Sequence, residues 1–109
     1  MPTGRLGTAN ITATTATTVY TVPTATFSVV SVNIVNRSSS TPALVRLAVS
    51  SSATPGADEW IEFDSSLVAN GVLERTGIVM DAGKLIVAQT TTATPTLSVV
   101  VYGIETSTA

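Results

Sequence analysis

The sequence predicts an all-β protein, a single-domain β-sandwich or jelly roll of about eight strands, and three observations carry that expectation. The chain is rich in Val, and Thr and Ser fill nearly a third of it. β-Branched side chains lose rotamer freedom in a helix and fit the pleated, half-buried surface of a strand. Its apolar runs are short and separated by clusters of Gly, Pro, Asn and Ser, the punctuation of an all-β chain. Finally, 109 residues suit one domain, and 44% hydrophobic content packs a core where a merely Thr- and Ser-rich chain would stay disordered.

Residues 1–7 contain two Gly, one Pro and little to bury, so they are expected to form a flexible N-terminal arm ahead of a sandwich domain at 8–109. That arm carries Arg5, the one charged residue before Arg37, and either frays or orders across a neighbouring subunit. Short β-branched runs place strands at 8–13 and 18–22. The strand at 25–36 is long and is expected to change face: Phe27 and Val29 point one way, Val30, Val32 and Ile34 the other. A bulge near Val29 and Val30, or cover on both faces, reconciles them. The strand at 43–50 has a clear period of two, with Ala43, Val45, Leu47 and Val49 on the face assigned to the core.

A strand at 59–64 competes with a short helix over 59–67, because Trp60, Phe63 and Leu67 fall at helical spacing. Read as a strand, it turns Ile61 and Phe63 to the core and Trp60 outward. Ala69-Asn-Gly-Val is a hairpin signal, since Asn-Gly tolerates the positive φ angles of a type I′ turn, and it leads into a strand at 72–80. Asp81-Ala-Gly-Lys is a second turn, with Gly83 placed to take the left-handed conformation before a strand at 84–90. The last strand, 96–105, is apolar on both faces: Leu97, Val99 and Val101 on one, Val100, Tyr102 and Ile104 on the other. Ala-Thr-Pro occurs at both 53–55 and 93–95, but the residues after the two copies do not match, so it marks loops and not a repeat.

Composition excludes several function classes. With no Cys and no His there are no disulfides, no Cys or His nucleophiles and bases, and none of the usual tetrahedral zinc sites. Only 11% of residues are charged, and a net charge of −2 with no basic run removes the counterion-release term that drives nucleic-acid binding. Mean hydropathy is +0.44, yet the longest apolar run, residues 99–104, is far short of the 18 or so residues of a spanning helix. The first residues have no apolar stretch of the kind that marks a secretory signal.

Candidate chemistry is sparse. Asp58, Glu62 and Asp64 share one face of the fifth strand beside Glu59, which raises calcium, but no calcium-loop spacing is present and an acidic edge strand kept soluble explains them better. A carboxylate pair for glycoside hydrolysis has nothing in the sequence to fix its separation. Glu74 and Arg75 face opposite sides of a strand and find cross-strand partners instead. No catalytic, metal or cofactor residue is therefore assigned. Interface candidates are Trp60, an outward aromatic, the outer face of the last strand at Val100, Tyr102 and Ile104, and Arg5. Few charges with a surplus of apolar strand faces describe a subunit whose neighbours hide part of its surface, a homo-oligomer or a member of a larger assembly.

Taken together, Gly4-Arg-Leu-Gly, Val19-Tyr-Thr-Val-Pro, Val32-Asn-Ile-Val-Asn-Arg, Glu59-Trp-Ile-Glu-Phe-Asp, the long segment from Ala69 to Lys84, and Val101-Tyr-Gly-Ile-Glu resemble small virion structural proteins of tailed bacteriophages, those of cyanophages especially. The resemblance spans nearly the whole chain, and its most specific part is Ala69 to Lys84. It implies an all-β, non-enzymatic virion protein that decorates or cements the capsid by binding the major capsid protein, or else a tail, baseplate or adhesin subunit. A free carbohydrate-binding sandwich is a third reading, poorly served by one Trp and two Tyr.

Overall fold

The computed structural model describes residues 3–92 and 95–108. Among them are eight strands and no helix: β1 Thr3–Ile11, β2 Thr17–Thr21, β3 Thr26–Asn36, β4 Ala43–Ser50, β5 Trp60–Leu67, β6 Val72–Met80, β7 Leu85–Thr90 and β8 Leu97–Ser107. They form two four-stranded antiparallel sheets, in the orders β1-β8-β3-β6 and β2-β7-β4-β5. β4 and β5 are neighbours in one sheet, whereas every other connection crosses from one sheet to the other. This strand order is that of a jelly roll.

The core lies between the sheets and follows the pleat. On β3, Ser28, Val30, Val32, Ile34 and Asn36 are all buried; on β8, Leu97, Val99 and Val101 meet them. Ala43, Val45 and Leu47 of β4 with Ile86 and Ala88 of β7 supply the opposite wall. Each large side chain buried here contributes about 1.5–3 kcal/mol. The inward face assigned to β4 holds through Leu47. Val49 packs against the core but is only partly buried, and Ala48 and Val87, cross-strand partners on the other face, are also buried.

Several expectations are corrected. β3 does not change face: its burial alternates without interruption, because Ser28 occupies an inward position that reads as polar in the sequence. A register shift does fall beside Val30, but the extra residue belongs to β6, near Gly77 at φ 69°. The helix alternative at 59–67 is replaced by strand β5. Two register shifts on that strand, with Asp64 at φ 55°, break its alternation and put Phe63 outside at 56% exposure. The Asn-Gly segment is not a hairpin, since it carries the chain from one sheet to the other. Its turn is closed by Gly71 N–H donating to Val68 O at 2.8 Å, and Asn70 alone takes the positive φ. Gly83 does adopt φ 81°, as expected.

The N-terminal segment also differs from its description as an arm. From Thr3 onward it is strand, paired residue by residue with β8 from Thr3 opposite Ile104 to Ile11 opposite Leu97. Gly7 explains how so small a segment docks: a Cβ there would fall 2.3 Å from Val19 O, so only glycine lets the strand pass. Residues 1 and 2 lie outside the described residues, as do Ala93 and Thr94 of the second Ala-Thr-Pro.

Edge and interior strands are built differently. β1, β2, β5 and β6 are the four edges, and each contains a bulge, at Leu6, at Val19, twice on β5, and near Gly77. The interior pairs β3–β8 and β4–β7 run without a shift.

Candidate functional site

The outer face of the β1-β8-β3-β6 sheet gathers four of the five interface candidates. Directly opposed residues share a face, so the sheet reads as rows crossing its strands. Ile104, Val29 and Val79 form an apolar row at one end. Arg5, Tyr102 and Ser31 form the next row, and beyond it come Thr8, Val100, Asn33 and Glu74. Asn10, Ser98, Val35 and Val72 close the far end. Val79 is 70% exposed, Val72 58% and Ile104 49%, which for apolar side chains on one sheet face is a large surface left to water. Val100 and Tyr102 are half-buried in the middle.

One polar pair in the central rows is tied laterally. Tyr102 reaches across β3 and its hydroxyl donates to Glu74 Oε2 at 2.9 Å. The carboxylate beside it raises the phenol above its ordinary range. Asn33 sits between these strands, and among the described residues its buried Oδ1 accepts no hydrogen bond. Arg5 makes no ion pair among the described residues.

Trp60 lies elsewhere, on edge strand β5 of the other sheet. There the Arg46 guanidinium stacks 3.9 Å from the Phe63 ring centroid and 5.9 Å from that of Trp60, and the two rings meet edge to face at 5.6 Å. Arg46 also grips Asp64 through Nε and Nη2 at 2.6 and 3.1 Å, which holds that carboxyl below its ordinary range. The acidic residues are thereby dispersed. Glu62 turns toward the other sheet, accepts from Ser65 at 2.5 Å and from Arg75, and is held in its ionised form by both. Glu59 instead organises the loop after β4, accepting from Gly56 N at 2.7 Å and from Ser50 Oγ at 3.0 Å. Among the described residues, no three carboxylates converge on a metal position. Glu74 and Arg75 do take separate partners, Tyr102 and Glu62.

A buried polar triad escaped the sequence reading. Glu105 is 5% exposed at an inward position of β8, opposite Ser28. The Tyr20 hydroxyl donates to its Oε2 at 2.5 Å and lies 2.6 Å from Ser28 Oγ, which donates in turn. Burial and the neighbouring carboxylate push the Tyr20 phenol up to about 12, so it stays protonated and serves as a tie between sheets, not a nucleophile. A signal for it existed: Glu105 is in phase with Leu97, Val99 and Val101. A second polar feature, a half-open cleft of about 310 Å³, lies where Asn36, Arg37, Thr41 and Thr96 meet. Its one cation, Arg37, donates to Asn10.

No family model, curated protein or solved structure matches the chain. What the geometry offers is therefore a surface: a broad, partly apolar sheet face on a sandwich, with Tyr102 and Glu74 bound to each other across it.

Proposed function

We propose that the chain is a non-enzymatic structural subunit of a bacteriophage virion, a capsid decoration protein that binds and stabilises the shell built by the major capsid protein. The observation that carries this reading is the outer face of the β1-β8-β3-β6 sheet, where Val79, Val72 and Ile104 remain exposed on a single sheet face. A lone soluble domain gains nothing from such a face, whereas a subunit repeated over a shell buries it and multiplies weak contacts by avidity. The jelly roll supports the reading only as an architecture that recurs in capsid domains, and also in lectins and cupins. The resemblance of the Ala69 to Lys84 segment supplies the phage context.

Copy number in purified virions tests it. Abundance near that of the major shell protein is the expected result. A handful of copies per particle places the subunit in the tail or baseplate, and its absence from virions overturns the reading.

A further inference from the structure

The geometry points to a two-fold symmetric dimer in which the outer faces of two β1-β8-β3-β6 sheets stack on each other, with the symmetry axis parallel to the strands. This deepens the structural-subunit reading by naming a first partner, a second copy of this chain, and rests on that reading only for the expectation that the face is buried.

Three observations lead there. All four sheet edges carry bulges while both interior pairs are regular. Bulges twist an edge away from a regular partner, so strand addition is disfavoured and association falls to a face. The area is sufficient: four strands about 4.8 Å apart and roughly 30 Å long give a footprint of roughly 600 Å² on each copy. Two such footprints exceed the ~1,000 Å² total that a specific interface needs.

The charges then choose the axis. Arg5 lies on edge strand β1, and Glu74 lies on the opposite edge, β6, one row farther along. A two-fold axis parallel to the strands stacks β1 of one copy on β6 of its partner, β8 on β3, and each row on itself. Arg5 then comes within one row of the partner's Glu74, twice per dimer, and the apolar row of Ile104, Val29 and Val79 packs on its own copy. An axis perpendicular to the strands stacks β1 on β1 and β6 on β6. That arrangement sets the two Arg5 side chains one row apart, and likewise the two Glu74, so like charges meet. Charge complementarity therefore favours the first axis, and it fixes register as well as orientation.

Light scattering on the full chain at micromolar concentration tests this. The wild type is expected to run as a dimer, and Val79→Asp, at a site open in the single subunit, as a folded monomer by circular dichroism. Arg5→Glu and Glu74→Arg should each weaken the dimer about tenfold, and the double exchange should restore most of the loss. Because the chain has no Cys, a single Ser31→Cys beside the axis should be joined by a short bifunctional maleimide, and Ser66→Cys on the other sheet should not. A monomeric wild type, a dimer indifferent to Val79→Asp, or a double exchange no better than the single ones overturns the inference. A monomer abundant in virions refutes the dimer alone, while a dimer absent from virions refutes the virion reading alone.

Discussion

Alkaline pH should loosen this protein through one side chain, Tyr20. Tyr20 is 7% exposed, and burial together with its hydrogen bond to the Glu105 carboxylate pushes the phenol up from 10.0 to about 12. A raised folded-state value means the native protein keeps a proton that the unfolded chain releases. The stabilisation is thus complete below pH 10.0 and is lost as pH climbs toward about 12. Two units at about 1.36 kcal/mol each give roughly 3 kcal/mol over that interval, a large share of the 5–15 kcal/mol typical of a domain. Tyr20→Phe isolates the effect. At neutral pH the variant should be less stable by about 1–3 kcal/mol, because Glu105 loses its donor inside the protein. On raising the pH the two proteins should converge, since only the wild type has the phenol to lose. Tyr102, whose phenol is also raised, is present in both and cancels. Urea unfolding at a series of pH values, followed by the fluorescence of Trp60, the single tryptophan, measures the gap. A gap that stays constant to pH 12 would refute the coupling.

Gly103→Ala should be strongly destabilising, because the new Cβ would lie 2.1 Å from Val29 O and 2.8 Å from Val30 Cα on the neighbouring strand. Backbone cannot rotate away as a side chain can, so a loss of about 3 kcal/mol or more is expected in thermal or urea unfolding. Asn36→Ala should cost about 2–4 kcal/mol in the same assay. The buried amide donates to Thr41 O, Leu67 O and Val68 O and accepts from Ser38 N, and Ala leaves all of them without it. On the acid side, Glu62 is held below its ordinary 4.5 by Ser65 and Arg75, so stability present above that value should fall as pH drops through the lower folded value. Ser65→Ala should move this acid transition upward, as read by midpoint against pH.

Strand positions were legible in the sequence because period and punctuation are local properties. Ala43, Val45 and Leu47 declare their shared face, and Gly83 declares its turn. The illegible parts depend on partners distant in sequence. Phe63 was turned outward by bulges on β5 that arise from pairing with β4, and no count along residues 59–64 contains that information. Ser28 was the opposite case: it disguised a regular strand because its hydroxyl belongs to the triad with Tyr20 and Glu105. Asn70 and Gly71 carried a true turn signal, but whether a turn joins neighbours in one sheet or crosses between two is decided by the rest of the fold. At the candidate site, the alternation along β8 placed Val100, Tyr102 and Ile104 together on one face, which is the outer face of the sheet. Arg5 joined them only through the docking of β1, which a glycine-containing, nearly unburied segment did not announce.

The position of β8 also sets the order in which the molecule can be made. It is the last of the eight described strands in sequence order, yet it fills the space between β1 and β3. Its partners are far away along the sequence: Thr3 pairs with Ile104, 101 residues on, and Asn36 with Leu97, 61 residues on. On a ribosome, then, β1 and β3 emerge with a gap between them that stays open until β8 has been made. β4 and β5, joined locally, are free to pair early, and β3 can pair with β6 once β6 is made, but β1 has no partner in its sheet until β8 is made. Closing such distant contacts is slow, and the nascent chain meanwhile presents Val30, Val32 and Ile34 to other chains leaving neighbouring ribosomes. Truncation before Leu97 should therefore yield an aggregating fragment and not a smaller domain, and fusions at the C-terminus should leave folding speed unchanged only when they do not delay the release of β8.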